Sequence, residues 1–177
     1  MKKGVEQLNE QMKPVMQAEN LLQTKNITQT DVESLLPICS ALHEPLSTIA
    51  EDGLSIRLTA QQTTKRGEVQ QAVIETIGRF LEAEKVRGES LSTQVECGAY
   101  KDNLQRLIER IQLVPSLPSR FLETLQRAIQ TSNMRLAEIE EQTKVNHCLE
   151  SINSRYNSLS AFAKRKLYPA YRNSKRV

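Results

Sequence analysis

The sequence has no tryptophan, three phenylalanines and four tyrosines, so aromatics make up 4% of it. Compact enzyme cores lean on aromatic side chains for buried area, and so sparse a supply suits thin helical packing better. Six glycines and six prolines in 177 residues are too few for collagen, a turn-rich β-sandwich or a low-complexity linker. Cysteine is equally thin. Cys39, Cys97 and Cys148 stand alone, with no CxxC, which excludes a disulfide framework and points to a reducing compartment. No run of about 20 apolar residues occurs, so no transmembrane helix is expected. The N-terminus shows no apolar signal region, and Glu6 and Glu10 argue against a mitochondrial presequence. The expected location is intracellular, cytoplasmic or nuclear.

Catalytic signatures are missing too. The chain carries no GxxxxGK, GxGxxG or GxSxG motif and only two histidines, so phosphate loops and nucleophile elbows are excluded. Cys39 and His43 lie four apart and could share one helix face. A zinc site needs three or four ligands, and no second pair accompanies them. His147 and Cys148 are adjacent and point apart. Glu138, Glu140 and Glu141 cluster, but the Glu-x-x-His pattern of di-iron bundles is absent. A solvated helix face is the simpler reading. The expectation is a non-catalytic protein with no cofactor, no metal and no small-molecule substrate.

What the sequence does have is helical apolar spacing almost throughout. Val5, Leu8, Met12 and Val15 open a first segment over residues 4–24, with Pro14 expected to kink or split it. A second begins at Thr30-Asp31-Val32-Glu33, read as a capping box, and continues through Leu35, Ile38, Leu42, Leu46, Ile49, Leu54, Ile56 and Leu58, bent by Pro37 and Pro45. Residues 61–67 hold no apolar side chain and read as a loop or a polar stretch of helix. A long third segment covers 68–113. Its seam turns polar at Glu84 and Arg87 and recovers at Leu91. It is then regular at Cys97, Tyr100, Leu104, Leu107, Ile111 and Val114, with spacings of 3, 4, 3, 4 and 3. Gly78, Gly88 and Gly98 weigh against one unbroken rod.

Val114-Pro115-Ser116-Leu117-Pro118-Ser119 is the strongest punctuation in the chain. A fourth segment, 118–167, carries two seams. Leu122, Leu125, Ile129, Leu136 and Ile139 form one; Val145, Leu149, Ile152, Tyr156, Leu159 and Ala163 form the other, out of phase with the first. The third and fourth segments are each roughly 70 Å long as helices, and a short connection between equal helices predicts an antiparallel hairpin. Polar residues at seam positions (Glu84, Arg87, Ser132, Asn146) suggest a seam completed by a partner chain or by the first two segments folding back.

Charge is asymmetric. Net charge is +3, yet Arg155, Lys164, Arg165, Lys166, Arg172, Lys175 and Arg176 follow Glu150 with no acid among them, leaving −4 on the first 150 residues. Tyr156, Phe162, Tyr168 and Tyr171 place four of the seven aromatics in the same stretch. The plainest reading is a helix end whose cations complement the dipole, followed by a frayed tail; behind it come an acidic partner surface and then nucleic acid or a nuclear import signal. Pro169 is expected to end the helix.

Two resemblances accompany these features. Ile56-Arg57-Leu58-Thr59-Ala60-Gln61-Gln62-Thr63, followed by helices broken at Val114-Pro115, is similar to the coiled-coil half of a central-channel nucleoporin, although the Phe-Gly repeats of that family have no counterpart here. Leu113-Val114-Pro115, Leu125-Gln126-Arg127 and Tyr156-Asn157 resemble the smallest shoulder subunit of dynactin, at intervals that fit poorly. Neither transfers a site; both imply a structural subunit.

Taken together, these features predict an all-α protein, an elongated helical bundle or coiled coil built on a long antiparallel helical hairpin. Residues 1–65 form two Pro-kinked helices, 66–167 the hairpin with its turn near 114–119, and 168–177 a basic, Tyr-containing tail. The expected function is that of a coiled-coil subunit of a larger, hetero-oligomeric assembly of helical proteins. Leu104, Leu107, Ile111, Leu122, Leu125, Ile129, Ile152, Tyr156 and Leu159 are the expected partner-binding knobs. The tail residues Lys164, Arg165, Lys166, Tyr168, Tyr171, Arg172, Lys175 and Arg176 would set orientation. The alternative is a self-folding helical adaptor or secreted effector that binds an acidic partner, a membrane surface or nucleic acid through that tail.

Overall fold

The computed structural model describes the backbone of residues 2–24, 26–46, 49–51, 54–56 and 58–173, and the side chains of 5–24, 26–46 and 58–163. Within them the chain is a helical bundle: α1 (Lys2–Leu22), α2 (Gln29–His43), α3 (Ala60–Glu89), α4 (Gln94–Gln112) and α5 (Arg120–Asn173). Two strands of three residues, β1 (Ile49–Glu51) and β2 (Leu54–Ile56), pair antiparallel between α2 and α3, with Ile49 opposite Ile56. These six residues were expected to extend the second helix.

Three helices start at capping boxes, in which a Thr side chain accepts from the third helical N–H and the third side chain accepts from the Thr N–H. The pairs are Thr28 with Asp31, Thr59 with Gln62, and Thr93 with Glu96. The α2 box therefore sits two residues before the expected Thr30–Glu33 pair. Glu33 instead accepts from Gln29 and bridges to Arg110 of α4 at 3.0 Å. The α4 box explains the main departure from expectation. The third segment is not one helix over 68–113: it stops at Glu89 and restarts after Thr93. Pro14 does not split α1, and residues 61–67 are the polar first turns of α3. α5 runs through Pro169 to Asn173 rather than ending there.

α3 packs against α1, α2 and α5, and α4 against α5 and α2. The core gathers Val15 and Ala18 of α1; Val32, Leu35, Leu36, Cys39 and Leu42 of α2; Val73, Ile77 and Leu81 of α3; and Phe121, Leu125 and Ala128 of α5. All six residues of the regular run from Cys97 to Val114 are buried in it. Two glycines set helix spacing. A Cβ on Gly78 would lie 3.2 Å from the Phe121 ring, and one on Gly88 would lie 3.1 Å from the Tyr100 hydroxyl.

Polar groups complete the bundle. Arg66 is buried on α3 and donates to the carbonyls of Gln11 (2.7 Å), Ala41 (2.6 Å) and Glu44 (3.1 Å). Tyr100 donates to the Glu84 carbonyl, closing α4 onto the end of α3. Burial, then the Glu84 carboxylate, pushes its hydroxyl pKa up to about 12.

Candidate functional site

α5 changes character at Ile139. Up to that point it alternates buried and exposed positions, with Phe121, Leu125, Ala128 and Ser132 facing inward and Leu122, Ile129, Leu136 and Ile139 half-buried against the core. Gln94 of α4 donates to Glu140, and Arg135 donates to the Leu91 carbonyl at 3.0 Å. From Glu140 to Leu159 every side chain is exposed. The helix continues for about 50 Å past Ile139 at 1.5 Å per residue.

This stretch carries the second seam. Val145 is 47% exposed, Leu149 53%, Ile152 62%, Tyr156 70% and Leu159 68%. The first seam, had it continued at its own spacing, would pass through Thr143 and Asn146. The second begins one residue out of step, which turns its stripe by about 100° around the helix. In proteins most helical stability comes from packing an apolar face, and a contiguous apolar stripe on a surface marks an interaction site.

The nine residues expected to bind a partner fall into two groups. Leu104, Leu107, Ile111 and Leu125 are buried in the chain's own core, and Leu122 and Ile129 pack against it. Their surface is occupied inside the bundle, where α4 packs against α5 and α2 and α5 packs against α3 and α4. Ile152, Tyr156 and Leu159 remain open. Of the basic tail, residues 164–173 continue the α5 backbone, while the side chains of Lys164, Arg165, Lys166, Tyr168, Tyr171 and Arg172 lie outside the described residues, as do Lys175 and Arg176.

The residues weighed for chemistry are engaged elsewhere. Cys39 is buried in the core, where desolvation pushes its thiol pKa up and the Ser116 hydroxyl offsets part of the rise. His43 Nδ1 meets Gln70 Nε2 at 3.2 Å. Glu138 is paired with Arg135, and Glu140 accepts from Gln94. Among the described residues no three metal-ligating side chains gather, and no helix is long and apolar enough to cross a membrane. Set against protein-family models, curated proteins and solved structures, the chain finds no match.

Proposed function

We propose that this protein is a non-catalytic coiled-coil subunit of a larger assembly: a helical bundle that completes its own core and holds out the second half of α5 as a docking arm. Leucine-sized knobs at alternating spacings of 4 and 3 are what a partner helix packs into, and Val145 to Leu159 supply them. The α4–α5 pair, read as a short antiparallel hairpin, anchors the arm at its base. The carrying observation is the contrast along one helix, with Leu125 fully buried and Ile152 62% exposed. In this reading the partner-facing role belongs to Ile152, Tyr156 and Leu159, joined by Val145 and Leu149. The six bundle residues serve the fold.

The test compares the native chain with the doubly substituted Leu149→Asp, Leu159→Asp chain as baits for binding proteins. Proteins held by the native chain and lost by the variant, at equal bundle stability, support the reading. An identical set on both baits contradicts it. A second reading, docking through the basic block at 164–176, rests on the charge contrast between body and tail. Binding through that block weakens steeply with ionic strength, because exposed charges are screened, whereas seam packing does not.

A further inference from the structure

The arm carries more than an apolar stripe; its charges and its spacing together select an occupant. Its first half, 140–150, holds Glu140, Glu141 and Glu150 against Lys144, a net of −2. Its second half, 151–173, holds Arg155, Lys164, Arg165, Lys166 and Arg172, a net of +5. A helix polarised in this way is complementary to itself when reversed. Two parallel copies would stack +5 on +5.

The seam adds a register. In heptad notation Val145, Ile152 and Leu159 are d positions and Leu149, Tyr156 and Ala163 are a positions. Antiparallel coiled coils set a opposite d. One register does this for all six: Val145 opposite Ala163, Leu149 opposite Leu159 and Ile152 opposite Tyr156 of the second copy, each pair occurring twice about a two-fold axis near Ser154. Shifting by one heptad toward the bundle sets Gln142 opposite Leu159 and Glu138 opposite Ala163, which puts polar groups into the seam at a cost. In the favoured register the apolar seam ends where Lys166 and Gln142 take the next d and a positions, and Lys164 falls opposite Lys144. The same symmetry brings Arg155 near its own copy, an exposed like-charge approach of small cost.

We propose that the arm's occupant is a second copy of this chain, paired antiparallel over residues 145–163, so that two bundles sit at opposite ends of a short coiled coil. The inference rests on the docking-arm reading above and gives it a partner. The paired stretch is about 27 Å long, short for a stable interface, so association depends on concentration.

Sedimentation equilibrium of the full chain from about 1 to about 200 µM tests the stoichiometry across the affinities that such an interface covers. The expected result is a monomer–dimer equilibrium that Leu149→Asp with Leu159→Asp abolishes at unchanged bundle helicity, and that Arg155→Gln shifts toward dimer. Orientation is read by disulfide capture in a Cys148→Ser background. Mixed Leu149→Cys and Leu159→Cys chains should cross-link to each other, and neither should cross-link to itself. Self-cross-linking of Leu149→Cys alone would overturn the antiparallel pairing. A monomer throughout the range would overturn self-pairing altogether, while the docking-arm reading would still stand or fall on the bait comparison.

Discussion

Arg66 donates from Nη2 to the carbonyl of Ala41 at 2.6 Å, and that carbonyl is the one Pro45 leaves without a helical donor. In an α-helix residue 45 would return its N–H to residue 41, and proline has none. The guanidinium thus caps the end of α2, where a cation also complements the helix dipole. Its other arm reaches the Gln11 carbonyl of α1 at 2.7 Å, beside the Glu10 carbonyl that Pro14 likewise deprives of a donor. One buried side chain of α3 ties down two proline-marked helices.

Replacing Arg66 by Met should therefore cost about 2–4 kcal/mol, because it strands buried carbonyls as well as removing the bonds. Arg66→Lys keeps the charge but lacks the fork that reaches α1 and α2 at once, and should recover only part. Urea titration followed by far-UV circular dichroism checks both.

Gly88 of α3 and Gly98 of α4 should respond in opposite directions. Nothing lies within 4 Å of a Cβ built on Gly98, so Gly98→Ala should gain about 0.5–1 kcal/mol of helix propensity. Gly88→Ala pushes into the Tyr100 ring at 3.2 Å and should lose stability despite the same propensity gain. Paired thermal melts distinguish them.

Acid should loosen the helix starts. Backbone and hydroxyl hydrogen bonds from Ser92 and Thr93 hold the Glu96 carboxyl below its ordinary value of 4.5, and Thr28 does the same for Asp31. A carboxylate depressed in the folded state adds stability above its unfolded pKa and loses it as pH falls through the folded one. Melting temperature should drop below about pH 4.5, and Glu96→Gln should flatten part of that slope.

The three cysteines should separate cleanly. Cys148 is exposed on the arm, and Cys39 and Cys97 are buried. A thiol reagent should titrate one group in the native chain and three after denaturation. Pairing of the arm should slow the first, which makes Cys148 a reporter of docking.

The contrast between bundle and arm should also appear under one substitution type. Leu107 is 1% exposed, so Leu107→Asp buries an unpaired charge and should unfold the bundle, at a cost above about 4 kcal/mol. Leu159→Asp should leave the bundle melt within about 0.5 kcal/mol of native.

The sequence reveals much of this unevenly. The run from Cys97 to Val114 is readable because a regular apolar spacing survives in the folded core unchanged. The break at 90–93 is written as Thr93 and Glu96, a capping pair masked by the apolar residues on either side. Thr28–Asp31 and Thr30–Glu33 are overlapping pairs of the same spacing; the first makes the capping bonds, while Glu33 is engaged with Gln29 and Arg110. Counting large apolar residues places the α5 seam on Leu122 and Ile129, whereas the fully buried line runs through Phe121, Ala128 and Ser132. Small side chains are where helices approach, and periodicity scores them lightly. The strands β1 and β2 lie among Ile49, Leu54 and Ile56, apolar residues that also fit a helical spacing. Arg66 left no mark at all, since a basic residue in a polar run reads as solvated until two helix ends are placed above it. The arm was legible as a seam out of phase with its neighbour. That it is the uncovered one follows only from the fold.

Hydrogen exchange resolved along α5 measures most directly whether its bundle half and its arm differ in protection. In dilute protein, amides from Phe121 to about Ile139 should be protected to the stability of the bundle, and those from Val145 to Leu159 should exchange orders of magnitude faster, gaining protection only as concentration or a partner rises. Uniform strong protection to Leu159 in dilute monomer would mean that the chain covers the stripe itself, and would contradict the docking arm.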